Sequence, residues 1–393
     1  MKPDTLLTIA GRDPEANFGI VNPPVYHAST VLYPTLEALD NAWRNRRPDK
    51  VYYGRYGTPT TFALEAAVAA LEGGWQSIAV GSGMAAVTAS LLAFVKAGDH
   101  VLMVDNVYSP SRRVCDQLLG RFGVATTFYD PTIGDRIAEL IRPNTRVVFL
   151  ESPGSLTFEV QDAPAIIAAA KRKGAAVVVD NSWSAGVYFK PLALGADVSI
   201  QAATKYIGGH SDLMMGIVTT TEAAYQPLRQ TITDLGCPSG PDDCYLALRG
   251  LRTLGVRLAR HWETGIKLAE WLKSRREVVR VRHPALPDHP GHALWKRDFT
   301  GASGLFSFEI PAAPRAALAA MVDHMNLFGM GYSWGGFESL ILPSDPGPIR
   351  TATTWAGDTI LIRLHAGLED PDDLIADLEA GFGRLNAAMS AER

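Results

Sequence analysis

Two charged residues follow apolar runs at positions that could serve one reaction. Val177-Val178-Val179-Asp180-Asn181 ends a strand pattern in a carboxylate, and Ala203-Thr204-Lys205-Tyr206 sets an amine after the next apolar run. Singly, each is commonplace: an acid after a strand usually caps a loop, and a lysine usually sits in water. Upstream, Gly81-Ser82-Gly83-Met84-Ala85-Ala86 lies between a strand pattern and a helix pattern and fits G-x-G-x-x-A, with Asp105 ending the next strand. In such a loop, backbone amides and the positive end of a helix face an anion, which implies phosphate binding. Taken alone it suits a nicotinamide or flavin dinucleotide, with Asp105 as the acid that follows the loop. A tight structural turn is the plain alternative.

The amine and the carboxylate separate these readings. A carboxylate against the ring nitrogen of pyridoxal phosphate keeps that nitrogen protonated, and an amine near its aldehyde forms an imine. Electron-sink chemistry needs both groups, together with a phosphate cradle. A nicotinamide site needs neither.

An alternation of helix and strand patterns must position these groups. From about residue 64 the chain reads as a helix through Leu71, a strand at 77–80, a helix at 84–96 and a strand at 101–104. A helix after Pro110, strands at 124–129 and 147–150, a helix at 163–173 and strands at 176–179 and 198–201 follow. This order predicts an α/β fold, a mostly parallel sheet with flanking helices. In such sheets ligands gather at the carboxyl ends of strands, so Asp180 and the Lys205 loop point into one crevice. After about 254 the pattern changes to a long amphipathic helix at 256–274, strand-like runs at 304–309 and 359–364, and a final helix after Pro371. Residues 1–60 lack a period and hold Pro23, Pro24, Pro34, Pro48 and Tyr52-Tyr53, the mark of an arm lying on another surface. The expected division is an arm at 1–60, a cofactor domain at 61–253 and a smaller α+β domain at 254–393.

Composition removes other classes. A hydrophobic content of 47% supports a large core, while a net charge of -4 without a long basic run argues against nucleic acid. No stretch reaches the roughly 18 to 20 apolar residues of a membrane span. Cys115, Cys237 and Cys244 include no C-x-x-C pair, which argues against a disulfide framework and a zinc site. The first residues carry acids and prolines where a signal peptide needs an apolar run, so a cytoplasmic protein without a bound metal is expected.

Longer stretches carry a resemblance. Tyr53-Gly54-Arg55, LEGG at 71–74, FLESPGS at 149–155, VDNSW at 179–183 and SIQAATKYIGGHSD at 199–212 are joined by RGLRTLGVRL at 249–258. WKRDFTGASGLFSF at 295–308, YSWGGFESLIL at 332–342 and LIRLHAGLED at 361–370 complete the set. With these the chain resembles the Cys/Met-metabolism family of pyridoxal-phosphate enzymes, of fold type I, and within it the bacterial cystathionine β-lyases. The resemblance implies a homotetramer of dimers with shared active sites. It makes Lys205 the Schiff-base lysine and general base, Asp180 the partner of the ring nitrogen, and Tyr108 the residue stacked on the ring. Gly83 and Met84 would offer amides and Thr204 a hydroxyl to the phosphate. Tyr53 and Arg55 would reach the neighbouring subunit's phosphate. Arg363 would clamp the substrate α-carboxylate beside Ser333 and Trp334.

The implied reaction is β-elimination of cystathionine to homocysteine, pyruvate and ammonia, with cystine and other S-substituted cysteines as further candidates. Relatives acting at the γ-carbon usually have Glu at the place of Tyr332, and Gly within the motif that here reads Tyr108-Ser109-Pro110-Ser111. A γ-lyase or γ-synthase, and more remotely a nicotinamide-linked oxidoreductase, remain the alternatives. Tyr56, where a second arginine often follows, and Arg113, where an acid is usual, depart from the β-lyase pattern near the far end of the substrate. Exposed pairs are worth about 0.2 to 1 kcal/mol, so Arg113→Asp with Tyr56→Arg should raise selectivity for cystathionine over a neutral S-alkyl cysteine about a few-fold in kcat/KM. Selectivity ratios unchanged at both low and high salt would put these side chains away from the distal group.

Overall fold

The computed structural model describes residues 1–391. Its larger sheet is built from β1 (Gln76–Val80), β2 (His100–Val104), β3 (Ala125–Tyr129), β4 (Thr145–Glu151), β5 (Ala176–Asp180), β6 (Val198–Gln201) and β7 (Gly216–Thr220). The seven strands lie in the order β1-β7-β6-β5-β4-β2-β3. Pairings from β3 to β6 are parallel, and β7 runs antiparallel to both β6 and β1. Val147 to Leu150 and Val177 to Val179 are fully buried, as continuous apolar runs must be when helices cover both faces. The α/β class expected from the alternation is the fold observed.

Strand β7 was not expected. Its Ile217-Val218-Thr219-Thr220 run is β-branched, but it follows a glycine and has no helix before it to mark a crossover. The helix expected at 84–96 ends earlier, at Gly83–Leu92. Asp99 there accepts the Lys96 N–H at 2.9 Å and turns the chain toward β2.

The long helix expected at 256–274 runs instead over Pro241–Lys273, straight through residues 253 and 254. Gly250 and Gly255 weaken a helical reading of its first half. Both allow close approach: a Cβ at Gly250 would stand 2.1 Å from the Ile207 carbonyl oxygen, and one at Gly255 2.3 Å from Asp4 Oδ1. The helix therefore lies directly on the loop that follows Lys205 and on the N-terminal helix Pro3–Ile9. Arg252 secures the latter by donating to the Leu7 and Ala10 carbonyls, each at 2.8 Å. Farther along the arm, Phe18, Leu32 and Leu36 are 99%, 88% and 74% exposed, far more than a free surface usually gives such side chains.

A second sheet holds β8 (Arg280–Arg282), β9 (Leu305–Pro311), β10 (Leu340–Ser344) and β11 (Thr359–His365), ordered β10-β11-β9-β8 and antiparallel throughout. Alternation along β11 sends Ile362 and Leu364 into a core with Phe306, Phe308 and Phe382. It turns Arg363 and His365 to the opposite face.

The segment between β10 and β11 is pinned to the large sheet. Asp105, fully buried after β2, accepts the Thr351 N–H at 3.0 Å, the Thr353 N–H at 2.9 Å, the Thr353 hydroxyl at 2.7 Å and Arg112 Nη1 at 3.0 Å. Burial alone would raise its pKa, but the Thr351 and Thr353 bonds, with Arg112 behind them, hold the carboxyl below its ordinary value. Arg350 makes a second tie to Glu159 at 3.2 Å. Removing one partner of a buried pair leaves the other uncompensated, so Asp105→Ala should cost about 3–5 kcal/mol in denaturant unfolding. A loss below about 1 kcal/mol would assign the tie to Arg350 instead.

Candidate active site

A cavity of about 530 Å³ opens at the carboxyl ends of β4, β5 and β6. Gly83, Met84, Tyr108, Asp180, Thr204, Lys205, Tyr332, Ser333, Trp334 and Arg363 all line it. On the phosphate side, Ser82 caps the helix Gly83–Leu92 by accepting the Ala85 N–H at 3.0 Å, and its carbonyl takes the Ala86 N–H. The Gly83 and Met84 amides are left at the cavity wall, an anion site of the kind expected at a helix start. A Cβ on Gly83 would stand 2.9 Å from that of Ala202, so close packing also requires glycine there. Thr204 fits its expected role less directly. Its hydroxyl accepts the Met215 N–H at 2.9 Å and donates to the Met215 carbonyl at 3.2 Å, so it must turn its proton away from that carbonyl before donating to a phosphate.

Asp180 ends β5 and takes the Ser182 N–H at 3.0 Å, while Ser182 Oγ accepts from Ala202 N at 2.8 Å. Burial raises the Asp180 pKa, against the Ser182 bonds and the Lys205 charge. A cation docked in the cavity would favour the ionised form, which is what a protonated pyridine nitrogen offers. Lys205 donates to Ser333 Oγ at 2.6 Å, with its amine 5.4 Å from the Trp334 ring centre. Burial first, then the facing Arg363, brings the amine down to about 8. Arg363 donates through Nη2 to the Ser333 carbonyl at 3.1 Å and the Gly331 carbonyl at 3.4 Å. Nη1 and Nε have no acceptor among the described residues and are left to receive a carboxylate as a fork.

Sequence reasoning missed Glu151. It ends β4 and pairs in register with Asp180 on β5, so the two carboxyls share one face of the sheet. It accepts the Tyr108 N–H at 2.8 Å and thereby fixes the ring expected to stack on the cofactor. Burial, then repulsion from Asp180, hold its pKa well above the ordinary value, so its protonated form is favoured relative to a free carboxyl. The signal was available: Glu151 closes an apolar strand just as Asp180 does.

Four expected residues lie elsewhere. Arg113 is exposed at the end of the short helix Ser109–Arg113 and does not line the cavity. Tyr53, Arg55 and Tyr56 line other hollows of the arm. Arg55 there donates to the Thr233 carbonyl at 2.9 Å, and Tyr56 meets Trp43 edge-on at 6.4 Å. Asp105 corrects the dinucleotide reading: the acid needed for a ribose is buried and already committed to Arg112, Thr351 and Thr353.

The model of the family described as "Cys/Met metabolism PLP-dependent enzyme" matches residues 4–383. The cystathionine beta-lyase of Escherichia coli is 48% identical over 390 residues, covering 98% of this chain and 99% of that one. That of Salmonella typhimurium is 47% identical over 388 residues, covering 97% and 98%. Among solved structures, the cystathionine gamma synthase of Xanthomonas oryzae pv. oryzae, in complex with aminoacrylate and cysteine, superposes with a TM-score of 0.90 at 34% identity, covering 98% and 99%.

The raised pKa of Glu151 has a direct consequence. Glu151→Gln keeps a neutral acceptor for the Tyr108 N–H and should hold kcat/KM within about threefold, whereas Glu151→Ala leaves that N–H unpaired, at about 1–3 kcal/mol. A Gln variant as poor as the Ala variant would mean that the carboxylate is needed charged.

Proposed function

The chain belongs to the Cys/Met metabolism PLP-dependent enzyme family, its cofactor is pyridoxal phosphate, and from that premise we propose a carbon-sulfur β-lyase that converts L-cystathionine to homocysteine, pyruvate and ammonia. One observation carries the reading: an amine held near pKa 8 stands in one cavity between a buried carboxyl and a guanidinium with free donors. Three relatives named as β-lyases are 45% to 48% identical, though that of Bacillus subtilis is 35%, against 34% for the γ-synthase structure. Tyr332 supports β chemistry as well, since it stands at the cavity where γ-acting relatives carry an acid.

When bound, the cofactor supplies a sink for the electrons left at the substrate α-carbon. The Gly83 and Met84 amides would hold its phosphate, assisted by the Thr204 hydroxyl once that leaves Met215. Asp180 would keep the ring nitrogen protonated, and Tyr108, its backbone N–H bonded to Glu151, would lie against the ring. Lys205 would hold the cofactor through its amine and be free as a base when the substrate amine takes that place. Its neutral form then takes the α-proton, and the lowered pKa keeps a useful share of that form near neutrality. Arg363 grips the α-carboxylate with Nη1 and Nε, which turns the Cα–H toward Lys205. Loss of the β-thiolate completes the cleavage, and water releases pyruvate and ammonia.

The same reading includes a cytoplasmic homotetramer and the division into an arm at 1–60, a cofactor domain at 61–253 and a C-terminal domain at 254–393. Tyr53 and Arg55 stand outside their own chain's cavity, and the exposed Phe18, Leu32 and Leu36 suit burial by another subunit. Both features favour arms that complete a neighbour's site. Tyr56 and Arg113 would then face the distal half of the substrate. Cystine and S-substituted cysteines fit the same α-amino and α-carboxylate contacts.

A panel of cystathionine, cystine, cysteine, methionine and S-alkyl cysteines tests the reading: pyruvate supports β-elimination, and 2-oxobutyrate would replace it with γ-elimination. Lys205→Ala should lose at least the roughly 10² to 10⁴ of a positioned base, and a loss of only a few-fold would end its double role. Arg55→Ala and Lys205→Ala, each inactive alone, should regain activity as heterodimers, since one mixed site holds both residues. No recovery in a verified, cofactor-loaded heterodimer would keep Arg55 out of the neighbour's site.

A further inference from the structure

The turn that carries Ser333 is held in a conformation that side chains resist. Ser333 has φ +83° and Gly335 φ +89°, both in the left-handed region. Gly335 also lies on the catalytic loop, because a Cβ there would stand 2.8 Å from both Lys205 C and Tyr206 N. A conformation of this kind persists only when neighbours over-determine it. The nearest restraint is His365, 1% exposed, whose Nε2 stands between two backbone groups of the turn, the Gly335 N–H at 3.1 Å and the Gly336 carbonyl at 3.2 Å, accepting from the first when unprotonated and donating to the second when protonated. Two residues back on the same face of β11, Arg363 donates to the Ser333 carbonyl at 3.1 Å, while Ser333 Oγ receives the Lys205 amine at 2.6 Å.

The imidazole is costly where it sits. An Nε2 that accepts leaves the proton on Nδ1, which has no partner among the described residues, and an Nε2 that donates to the Gly336 carbonyl leaves the Gly335 N–H without its acceptor; His261 Nε2 is likewise unpaired. The two rings lie 5.2 Å apart, and Tyr206 packs 5.9 Å from His365. A phenyl ring would fill this space without burying an unpaired polar atom. Burial first, then His261, lowers the His365 pKa to about 3 against the bond to the Gly336 carbonyl, with Arg363 and Lys205 adding to the lowering, so the ring is uncharged at neutral pH.

We infer that His365 is a positioning residue for the cleavage: by holding the Gly335–Gly336 backbone through Nε2 it fixes the left-handed turn, so that Ser333 presents its hydroxyl to Lys205 and its carbonyl to Arg363. The role rests on the proposed assignment of Lys205 as base and Arg363 as carboxylate clamp. His365 touches neither substrate nor cofactor. It acts through Ser333.

A double-mutant cycle in the pyridoxal-phosphate-loaded enzyme tests this. His365→Phe should lower kcat/KM about 10- to 100-fold, through both KM and kcat, because a misplaced turn disturbs the clamp and the base together. His365→Gln keeps an acceptor and should stay within about threefold of the parent. Ser333→Ala should cost about tenfold in the parent and less than about twofold beside His365→Phe, as residues on one path are not additive. Without turnover, the pH midpoint of the bound cofactor's visible absorbance should shift in the Phe variant and not in the Gln variant. Additive losses, or a Gln variant as impaired as the Phe variant, would overturn the role. If the Phe variant does not fold, the same cycle with His365→Met decides. Keto-acid release by Lys205→Ala would instead defeat the parent assignment. An inactive Lys205 variant with an additive cycle defeats only the role of His365.

Discussion

A lysine can accept a proton near neutral pH only where its charged form is held back, and the cavity meets that condition at Lys205. Burial does most of the work, and the Arg363 guanidinium across the cavity adds to it, bringing the amine to about 8. Asp180 pulls the other way, so its distance and its own ionisation must be controlled. Burial raises the Asp180 pKa while the Ser182 bonds and Lys205 lower it, and Glu151, level with it on the next strand, has its own pKa raised by burial and by Asp180.

Each of these groups is held by an element that its sequence makes rigid. Asp180 and Glu151 end strands whose preceding valines, phenylalanine and leucine are fully buried. Lys205 follows β6 and is backed by a helix whose Gly250 lets two backbones touch. Arg363 projects from a strand whose opposite face is committed to the second core. The chemistry therefore sits at the junction of two sheets, and the ties between them, Asp105 with Thr351 and Thr353 and Arg350 with Glu159, belong to the site's geometry although none lines the cavity.

Much of this was legible in the residues. Apolar runs located the parallel strands to within a residue or two, and the joint spacing of the glycine loop, Asp180 and Lys205 pointed to the right cofactor class. What stayed hidden has physical causes. Glycine in the first half of the long helix reads as weak helix because propensity ignores close approach. Asp105 matched a ribose-binding acid in spacing alone, and only burial shows that its hydrogen bonds are committed elsewhere. Thr204 was assigned to the phosphate, and its hydroxyl bonds Met215, just before a strand that no helix announced. His365 gave no signal, since one residue in a strand cannot show that the group it restrains is a backbone amide some thirty positions away.

The Asp105 tie has a consequence for how the chain is made. The acid and its backbone partner at Thr351 are separated by 246 residues, so at translation speeds of about 5–20 residues per second the partner emerges about 12 to 50 s later. Until then Asp105 can pair with Arg112, made seven residues after it, but not with the amides that later surround it. The nascent large sheet must wait with an incompletely bonded acid beside its crevice. The crevice takes its final shape only after nearly the whole polypeptide has left the ribosome, which makes competence for the cofactor a late event in the life of each new chain.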